Sequence, residues 1–161
     1  MKVQEITAKI QVYTIEECDE KKKKLIETAK EATQKSYAPY SKFHVGAALL
    51  LEDGQIITGA NQENAAYPVT LCAERTAIFY ANAQFPSIPI QTIAIAAFVN
   101  GDFTDEICAP CGSCRQVISE VENRFGKSIS VIMYGKKQIY EVSSVQSLLP
   151  LSFGKENLPE S

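Results

Sequence analysis

Two short stretches, Cys72-Ala73-Glu74 and Pro110-Cys111-Gly112-Ser113-Cys114, decide both the fold and the chemistry expected of this chain. Together they contain three thiols and one carboxyl group, which can hold one zinc ion and move protons beside it. A structural zinc site closes with four protein ligands, whereas a catalytic site uses three and leaves the fourth position open. Three cysteines beside a glutamate that is not a ligand therefore indicate catalysis.

Each stretch also marks the start of a predicted helix. One helix is expected to begin at Leu71 or Cys72, and another at residues 112–114. Cys111 and Cys114 have the Cys-x-x-Cys spacing that lets two thiolates chelate one ion. The positive end of a helix dipole lowers the pKa of thiols placed there. We therefore expect two helix N-termini to converge on the same metal ion.

A structural zinc site with four ligands is the alternative. Its fourth ligand would be Cys108, Cys18 or His44. His44, the only histidine, lies in an apolar predicted strand and is expected to be packed there. Cys108 is separated from the Cys-x-x-Cys pair by a turn that Pro110 stiffens. Catalytic zinc is the favoured interpretation.

Composition limits the class of protein. The chain has 161 residues, a formal net charge of -3 and one basic run, Lys21-Lys22-Lys23-Lys24, which nearby acidic residues offset. Nucleic-acid binders are strongly basic, so no nucleic-acid partner is expected. No apolar run approaches the roughly 18 residues of a membrane helix, and no signal peptide is recognised. A cytoplasmic protein with reduced thiols is expected, and the odd number of cysteines, five, excludes complete disulfide pairing.

The rest of the chain alternates between predicted strands and helices, which indicates an α/β fold. Thr14-Ile15-Glu16-Glu17 has the spacing of a capping box and predicts a helix that runs to about Ser36. Asp53-Gly54 predicts the turn of an antiparallel hairpin. Residues 1–14 are interpreted as an extension that opens with a short strand or arm, and residues 15–161 as a single domain. Predicted strands cover residues 43–51, 55–61, 91–99, 128–134 and 138–142.

The two cysteine stretches resemble the motifs of the zinc-dependent cytidine deaminases, in particular the small homotetrameric type. Three further segments resemble this family: residues 40–49 (YSKFHVGAAL), residues 59–68 (GANQENAAYP) and residues 148–154 (LLPLSFG). The resemblance extends over roughly residues 20–158. It implies a three-layer α/β/α cytidine deaminase-like fold with a mixed five-stranded sheet. It also implies one zinc ion per subunit, held by Cys72, Cys111 and Cys114.

The resemblance implies a function and a set of site residues. The reaction would be hydrolytic deamination of cytidine and 2′-deoxycytidine to uridine and 2′-deoxyuridine plus ammonia, in pyrimidine salvage. Glu74 would be the catalytic proton carrier, and Arg75, with Arg115 as a further candidate, would offset the charge of the metal thiolates. The substrate-binding residues would be Phe43, Asn61, Glu63, Ala65, Tyr67, Ala73 and Phe153.

Separate parts of the nucleoside are expected to meet separate residues. Asn61 and Glu63 are two positions apart on an extended segment, so both side chains face the same way, and the resemblance implies that they bind the ribose. Phe43 would stack on the pyrimidine, and backbone groups near Ala73, with Ala65 as a further candidate, would hold the base. Tyr67 and Phe153 would reach the pocket of a neighbouring subunit, which gives a homotetramer with shared active sites.

Three positions depart from the family pattern, and none of the departures removes a catalytic group. They are His44, Gln62 and Cys108.

Three other functions are alternatives to this one. A deaminase of another aminopyrimidine would share the zinc motif, but Glu63 suits a ribose. A nucleic-acid editing deaminase is disfavoured by the acidic balance and by a pocket closed by Phe153. A zinc-stabilised binding module would show no turnover.

Overall fold

The computed structural model describes residues 1–159 and is built on one mixed β-sheet. Its strands are β1 Gln11–Tyr13, β2 His44–Leu51, β3 Ile56–Ala60, β4 Ile90–Val99, β5 Asp102–Phe103, β6 Ser130–Tyr134 and β7 Ile139–Val142. Its α-helices are α1 Glu20–Ala32, α2 Ala73–Gln84 and α3 Gly112–Phe125. The strand order is β1-β7-β6-β4-β2-β3, with β5 paired to β4, and only β4 and β6 run parallel within the described sheet.

The helices cover both faces of the sheet, because side chains of successive strand residues point to opposite faces. On one face α1 packs its buried residues against the sheet; they are Leu25, Ile26 and Ala29, against Ala48, Ala94 and Ile132. On the other face α2 and α3 pack Ala77, Ile78 and Ile118 against Leu49, Ile95 and Val131. These two apolar clusters confirm the predicted three-layer α/β/α class.

The sheet has seven strands where five were predicted. The five predicted strands are present as β2, β3, β4, β6 and β7, and β2 and β3 form the predicted antiparallel hairpin. The two additional strands are short. β1 pairs with β7 at the sheet edge, and β5 follows a tight reversal in which Asn100 and Gly101 have positive φ values of 54° and 85°. β1 lies in the N-terminal extension, where a short strand or arm was expected, whereas the two residues of β5 are too few to show a periodicity in the sequence.

The first predicted helix begins later than the sequence indicated. Thr14 and Glu17 do form a capping box, but it caps only a 3-10 turn, Ile15–Glu17. Cys18 is then extended, with φ -73° and ψ 142°, and its thiol is buried in the core. Asp19 starts α1 by accepting a hydrogen bond from the backbone N–H of Lys22 at 2.8 Å. The extended backbone at Cys18 therefore separates the capped 3-10 turn from α1.

Part of the predicted N-terminal extension is attached to the sheet. Within the predicted extension, Gln11–Tyr13 pairs with β7, and the hydroxyl of Tyr13 donates a 2.6 Å hydrogen bond to Glu141. The division at residue 14 stays a prediction. Residues 160 and 161, at the end of the predicted domain, lie outside the described residues.

Close contact between β3 and α2 gives a stability prediction at Gly59. A Cβ atom at this position would lie 2.5 Å from the backbone N of Ala77 and 2.6 Å from the backbone O of Ala73. Since these atoms belong to the helix backbone, we expect Gly59→Ala to lower the free energy of unfolding by about 1–3 kcal/mol. Chemical denaturation measures this change.

Gly112 provides the control for that measurement. A Cβ atom there would meet nothing within 4 Å, and the residue is helical, so Gly112→Ala should not lower stability. Equal unfolding midpoints for the wild-type protein and Gly59→Ala would contradict the close packing of α2 on β3.

Candidate metal centre and active site

The three predicted metal ligands lie together at the N-termini of two helices. Cys72 is the N-cap residue of α2, Cys111 is the N-cap residue of α3, and Cys114 lies in the first turn of α3. The Sγ atom of Cys111 is 3.5 Å from that of Cys72 and 3.4 Å from that of Cys114. Neither N-cap thiol makes a capping hydrogen bond with the backbone of its helix, so both sulfurs are directed to the group of thiols and are available to a ligand.

This sulfur triangle fits a zinc ion. Zinc–sulfur bonds of about 2.3 Å in tetrahedral geometry place the sulfurs about 3.8 Å apart. All three sulfurs lie within 4.8 Å of one another. Among residues 1–159 this is the only such group of potential ligands, and it does not include Cys18, His44 or Cys108. The donor set is therefore that of a three-cysteine site with an open fourth position, and a fourth structural ligand is not provided.

The crowding of the thiols shifts their pKa values in opposite directions. A hydrogen bond from Cys114, assisted by Arg75 and opposed by burial, lowers the pKa of Cys72 to about 5. The same hydrogen bond, together with burial, raises the pKa of Cys114. Three adjacent thiols cannot all ionise without a cation between them. A bound divalent ion supplies that charge, because thiolates are the form in which cysteine binds metals.

The two arginines that follow the motifs lie differently. The Nη2 of Arg75 is 3.7 Å from the Sγ of Cys72 and also donates to the carbonyl of Thr70. Arg75 is thus placed to offset thiolate charge. Arg115 instead donates to two carbonyl oxygens, of Pro110 and Leu148, both at 2.8 Å. Arg115, the further candidate for offsetting the thiolate charge, thus has its guanidinium group engaged by backbone carbonyls and not by sulfur.

The carboxyl group of Glu74 is buried beside the sulfurs. Glu74 lies in the first turn of α2, two residues after Cys72, and only 3% of the residue is exposed. Burial raises the pKa of Glu74, and the negative charge of Cys72 acts in the same direction, although hydrogen bonds with its own backbone and with Cys114 oppose the shift. A carboxyl group in this environment can hold a proton at a higher pH than an exposed glutamate can.

Asn61 and Glu63 have different local partners. The Oδ1 of Asn61 accepts hydrogen bonds from the hydroxyl of Ser36 and the N–H of Val45, and its Nδ2 donates to the carbonyl of Phe43. Asn61 therefore fixes the backbone on both sides of His44, which sequence reasoning missed. One of its amide N–H groups remains for a substrate. The connection was not predictable, because Ser36 is 25 residues away in sequence.

Glu63 lines a cavity beside the Tyr40-Ser41 backbone. Its Oε2 accepts hydrogen bonds from the backbone N–H groups of Tyr40 and Ser41, at 2.9 and 3.3 Å. The cavity has a volume of about 390 Å³, within the range of small-molecule sites. It is lined by Tyr40, Ser41, Glu63, Asn64, Tyr67 and Thr70. A larger cavity, of about 490 Å³, lies beside the start of α1 and is lined by no cysteine.

The remaining predicted substrate contacts range from buried to exposed. Phe43 is half-buried, Ala73 is buried and Ala65 is exposed. Tyr67 is 73% exposed and Phe153 is 60% exposed. Both aromatic rings are therefore accessible at the surface of the protein.

Comparison with known proteins agrees with this site. The family model described as the cytidine and deoxycytidylate deaminase zinc-binding region matches residues 19–128, which contain both cysteine stretches. A cytidine deaminase from Sporosarcina psychrophila is 45% identical over 135 residues, covering 84% of this chain and 93% of the relative. One from Halalkalibacterium halodurans is 42% identical over 134 residues, covering 83% and 95% of the two chains.

Solved structures give the same result. The chain is similar to a crystal structure of cytidine deaminase from Burkholderia pseudomallei, with 42% identity and a TM-score of 0.68, over 81% of this chain and 97% of the other. Cytidine deaminase from Mycobacterium tuberculosis has 31% identity and a TM-score of 0.66, over 84% of this chain and 99% of the other.

Proposed function

The chain belongs to the cytidine and deoxycytidylate deaminase family, whose cytidine deaminases are hydrolases of carbon–nitrogen bonds, and from this we propose its reaction. It hydrolyses free cytidine and 2′-deoxycytidine to uridine and 2′-deoxyuridine, with release of ammonia. The observation that carries the proposal is the meeting of three thiols and one buried carboxyl group where α2 and α3 begin.

Cys72, Cys111 and Cys114 would hold one zinc ion per subunit. When bound there, zinc supplies Lewis-acid chemistry, which lowers the pKa of a water molecule enough to make hydroxide available near neutral pH. Arg75, 3.7 Å from the sulfur of Cys72, reduces the excess negative charge of the thiolates.

Glu74 carries the protons of the reaction. Water attacks C4 of the cytosine ring, and the Glu74 carboxylate accepts the proton that the water loses. The protonated carboxyl delivers this proton to N3, which leaves C4 bonded to both a hydroxyl and the amino group. Glu74 then accepts the remaining proton of that hydroxyl and delivers it to the amino group, so that C4=O forms, the C4–N bond breaks and ammonia leaves. Burial raises the pKa of Glu74, which suits a carboxyl group that must accept and then release a proton in each of the two transfers.

The nucleoside is held by groups on both sides of the metal centre. The carboxylate of Glu63 and the remaining N–H of Asn61 would bind ribose hydroxyls. The ring of Phe43 would stack on the pyrimidine. Backbone groups of Ala73, and of Ala65, would contact the base.

We further propose that the protein forms a homotetramer with shared active sites. The support is a set of exposed apolar side chains close in sequence to the site motifs: Tyr67, Val69, Leu151 and Phe153. Tyr67 and Phe153 would complete the pocket of a neighbouring subunit. Light scattering gives the mass in solution, and a monomer that is fully active would contradict this proposal.

The setting proposed for the enzyme is pyrimidine salvage in the cytoplasm. All five cysteines are free thiols, as zinc ligation in a reducing compartment requires. In the part of the chain that is described, no helix has the length and apolar character needed to cross a membrane.

The test of the function is the ultraviolet absorbance change when zinc-loaded protein meets cytidine, 2′-deoxycytidine, cytosine and CMP in parallel. Conversion of the two nucleosides alone supports an unphosphorylated sugar as the recognised group. Turnover of cytosine instead would contradict the role of Glu63. Lack of turnover on all four, with zinc bound, would favour another aminopyrimidine substrate or a zinc-stabilised binding module.

Glu63 gives a prediction about substrate affinity. Glu63→Gln removes the charge that strengthens a hydrogen bond to a ribose hydroxyl, so KM for cytidine should rise roughly tenfold with a smaller change in kcat. Steady-state kinetics measure this, and Glu31→Gln, on the exposed side of α1, is the control. A change confined to thermal stability would contradict ribose binding.

The pKa of Glu63 gives a prediction about the pH dependence of substrate binding. Hydrogen bonds from the Ser41 hydroxyl and from the backbone N–H groups of Tyr40 and Ser41 lower the pKa of Glu63 below its usual value of 4.5. The carboxylate is therefore charged at neutral pH. Its contribution to sugar binding is present above that lowered pKa and is lost only as the pH falls through it.

A further inference from the structure

We propose that Arg115 is a positioning residue that couples the metal-binding loop to the C-terminal segment, residues 148–153. The functional part of this inference rests on the proposed function, because Phe153 in that segment is proposed to complete a substrate pocket. The coupling itself depends only on hydrogen bonds within the chain.

Arg115 joins two parts of the chain that are distant in sequence. Its Nε donates to the carbonyl of Pro110, and its Nη1 donates to the carbonyl of Leu148, 33 residues away. Pro110 directly precedes the metal ligand Cys111 and is buried in a segment without regular secondary structure. Its carbonyl therefore depends on a side chain for a hydrogen bond.

The C-terminal segment depends on side chains in the same way. After Leu149, whose N–H bonds to the carbonyl of Val145, residues 150–153 form no backbone–backbone hydrogen bond within the described chain. Leu148 is held by its own N–H, which bonds to the Val145 carbonyl at 2.8 Å, and by Arg115, and Phe153 is held by the Nε2 of Gln116, which donates to the Phe153 carbonyl at 2.8 Å. Two adjacent residues of α3 thus hold both ends of a segment whose Leu151 is 84% exposed.

The guanidinium group makes this connection specific. Arginine has several N–H donors in a rigid planar fork, whereas lysine has a single ammonium group on a flexible chain. One guanidinium can hold the Pro110 and Leu148 carbonyls in fixed positions relative to each other. Any shift of the C-terminal segment therefore acts on the loop that carries Cys111, and any shift of the loop acts on the segment.

The experiment compares zinc-loaded wild-type protein with Arg115→Lys, which keeps the positive charge and removes the fork. Three quantities are measured: amide hydrogen exchange of residues 148–158, the rate of zinc transfer to a chelator, and KM for cytidine. We expect Arg115→Lys to raise all three, with zinc transfer and KM each increasing roughly tenfold.

Arg124→Lys is the matched control. Arg124 lies on the same helix and donates a 2.7 Å hydrogen bond to the carbonyl of Pro86, away from the metal loop. It should leave all three quantities unchanged. Gln116→Ala releases Phe153 but keeps the Pro110 hydrogen bond, so it should raise exchange and KM while leaving zinc transfer at the wild-type rate.

The coupling would be overturned if Arg115→Lys matched Arg124→Lys in all three quantities. It would also be overturned if Arg115→Lys accelerated zinc transfer without changing exchange in the segment. If the wild-type protein fails to deaminate cytidine, the proposed function is wrong, and exchange and zinc transfer still decide the coupling.

Discussion

Replacing Glu74 with glutamine is expected to abolish nearly all deamination while zinc content and fold are retained. Glutamine has the same shape as glutamate but cannot accept a proton from water or donate one to N3. General acid–base catalysis contributes roughly 10²–10⁴-fold to rate, and kcat should fall by about that factor. Single-turnover kinetics with cytidine and metal analysis of the same preparation measure the two quantities.

The stability of this variant separates catalysis from structure. Glu74 is buried, and burial disfavours its ionised form, so an uncharged amide should fold at least as stably. Glu120→Gln, an exposed glutamate of α3, is the control and should retain full activity. A fully active Glu74→Gln protein would refute the mechanism. An unfolded one would favour the zinc-stabilised binding module.

Replacing Cys114 with alanine is expected to remove zinc, activity and part of the stability together. Cys114 has no exposed surface, and its sulfur is 3.4 Å from that of Cys111. Its removal leaves two ligands, so zinc affinity should fall by more than the roughly 10–100-fold that loss of a ligand's hydrogen-bond partner causes. Because metal binding stabilises only the folded state, the melting temperature of the zinc-loaded sample should fall as well.

Cys108 provides the matched control and tests the alternative of a structural zinc site with four ligands. Burial raises the pKa of Cys108 to about 12, which opposes ligation, and Cys108 is not part of the sulfur group. Cys108→Ser should therefore keep about one zinc per chain and full turnover. Loss of zinc from Cys108→Ser would show a four-cysteine structural site and would refute the open coordination position. Mass spectrometry under native conditions gives the zinc count.

Local features made most of the fold and the metal ligands predictable. The spacing of Cys111 and Cys114 predicts a chelating pair at the start of a helix. The continuous apolar run of β4 predicts a strand that is covered on both faces. Each of these signals is contained in a few neighbouring residues. The start of α1 was predicted too early, because the capping box at Thr14 closes only a 3-10 turn and the helix begins at the next capping residue, Asp19.

The parts of the site that could not be predicted depend on contacts distant in sequence. Asn61 bonds to Ser36, and Arg115 bonds to Leu148; neither pair carries a signal in the sequence between its members. Spacing placed Asn61 and Glu63 on one face, but it could not show that the Asn61 amide is largely engaged by the backbone around Phe43. Hydrogen bonds from side chains to distant backbone groups depend on the tertiary structure and leave no periodic pattern in the sequence.

The separation of Cys72 and Cys111 along the chain has a consequence for the unfolded protein. These ligands are 39 residues apart, so an ion that holds both closes a loop of that length. A covalent link of the same span would remove about 4 kcal/mol of chain entropy at 25 °C. A disulfide provides such a restraint permanently in an oxidising environment. Here the restraint would be reversible, and the concentration of free zinc, instead of the redox potential, would set how much of the denatured ensemble is confined.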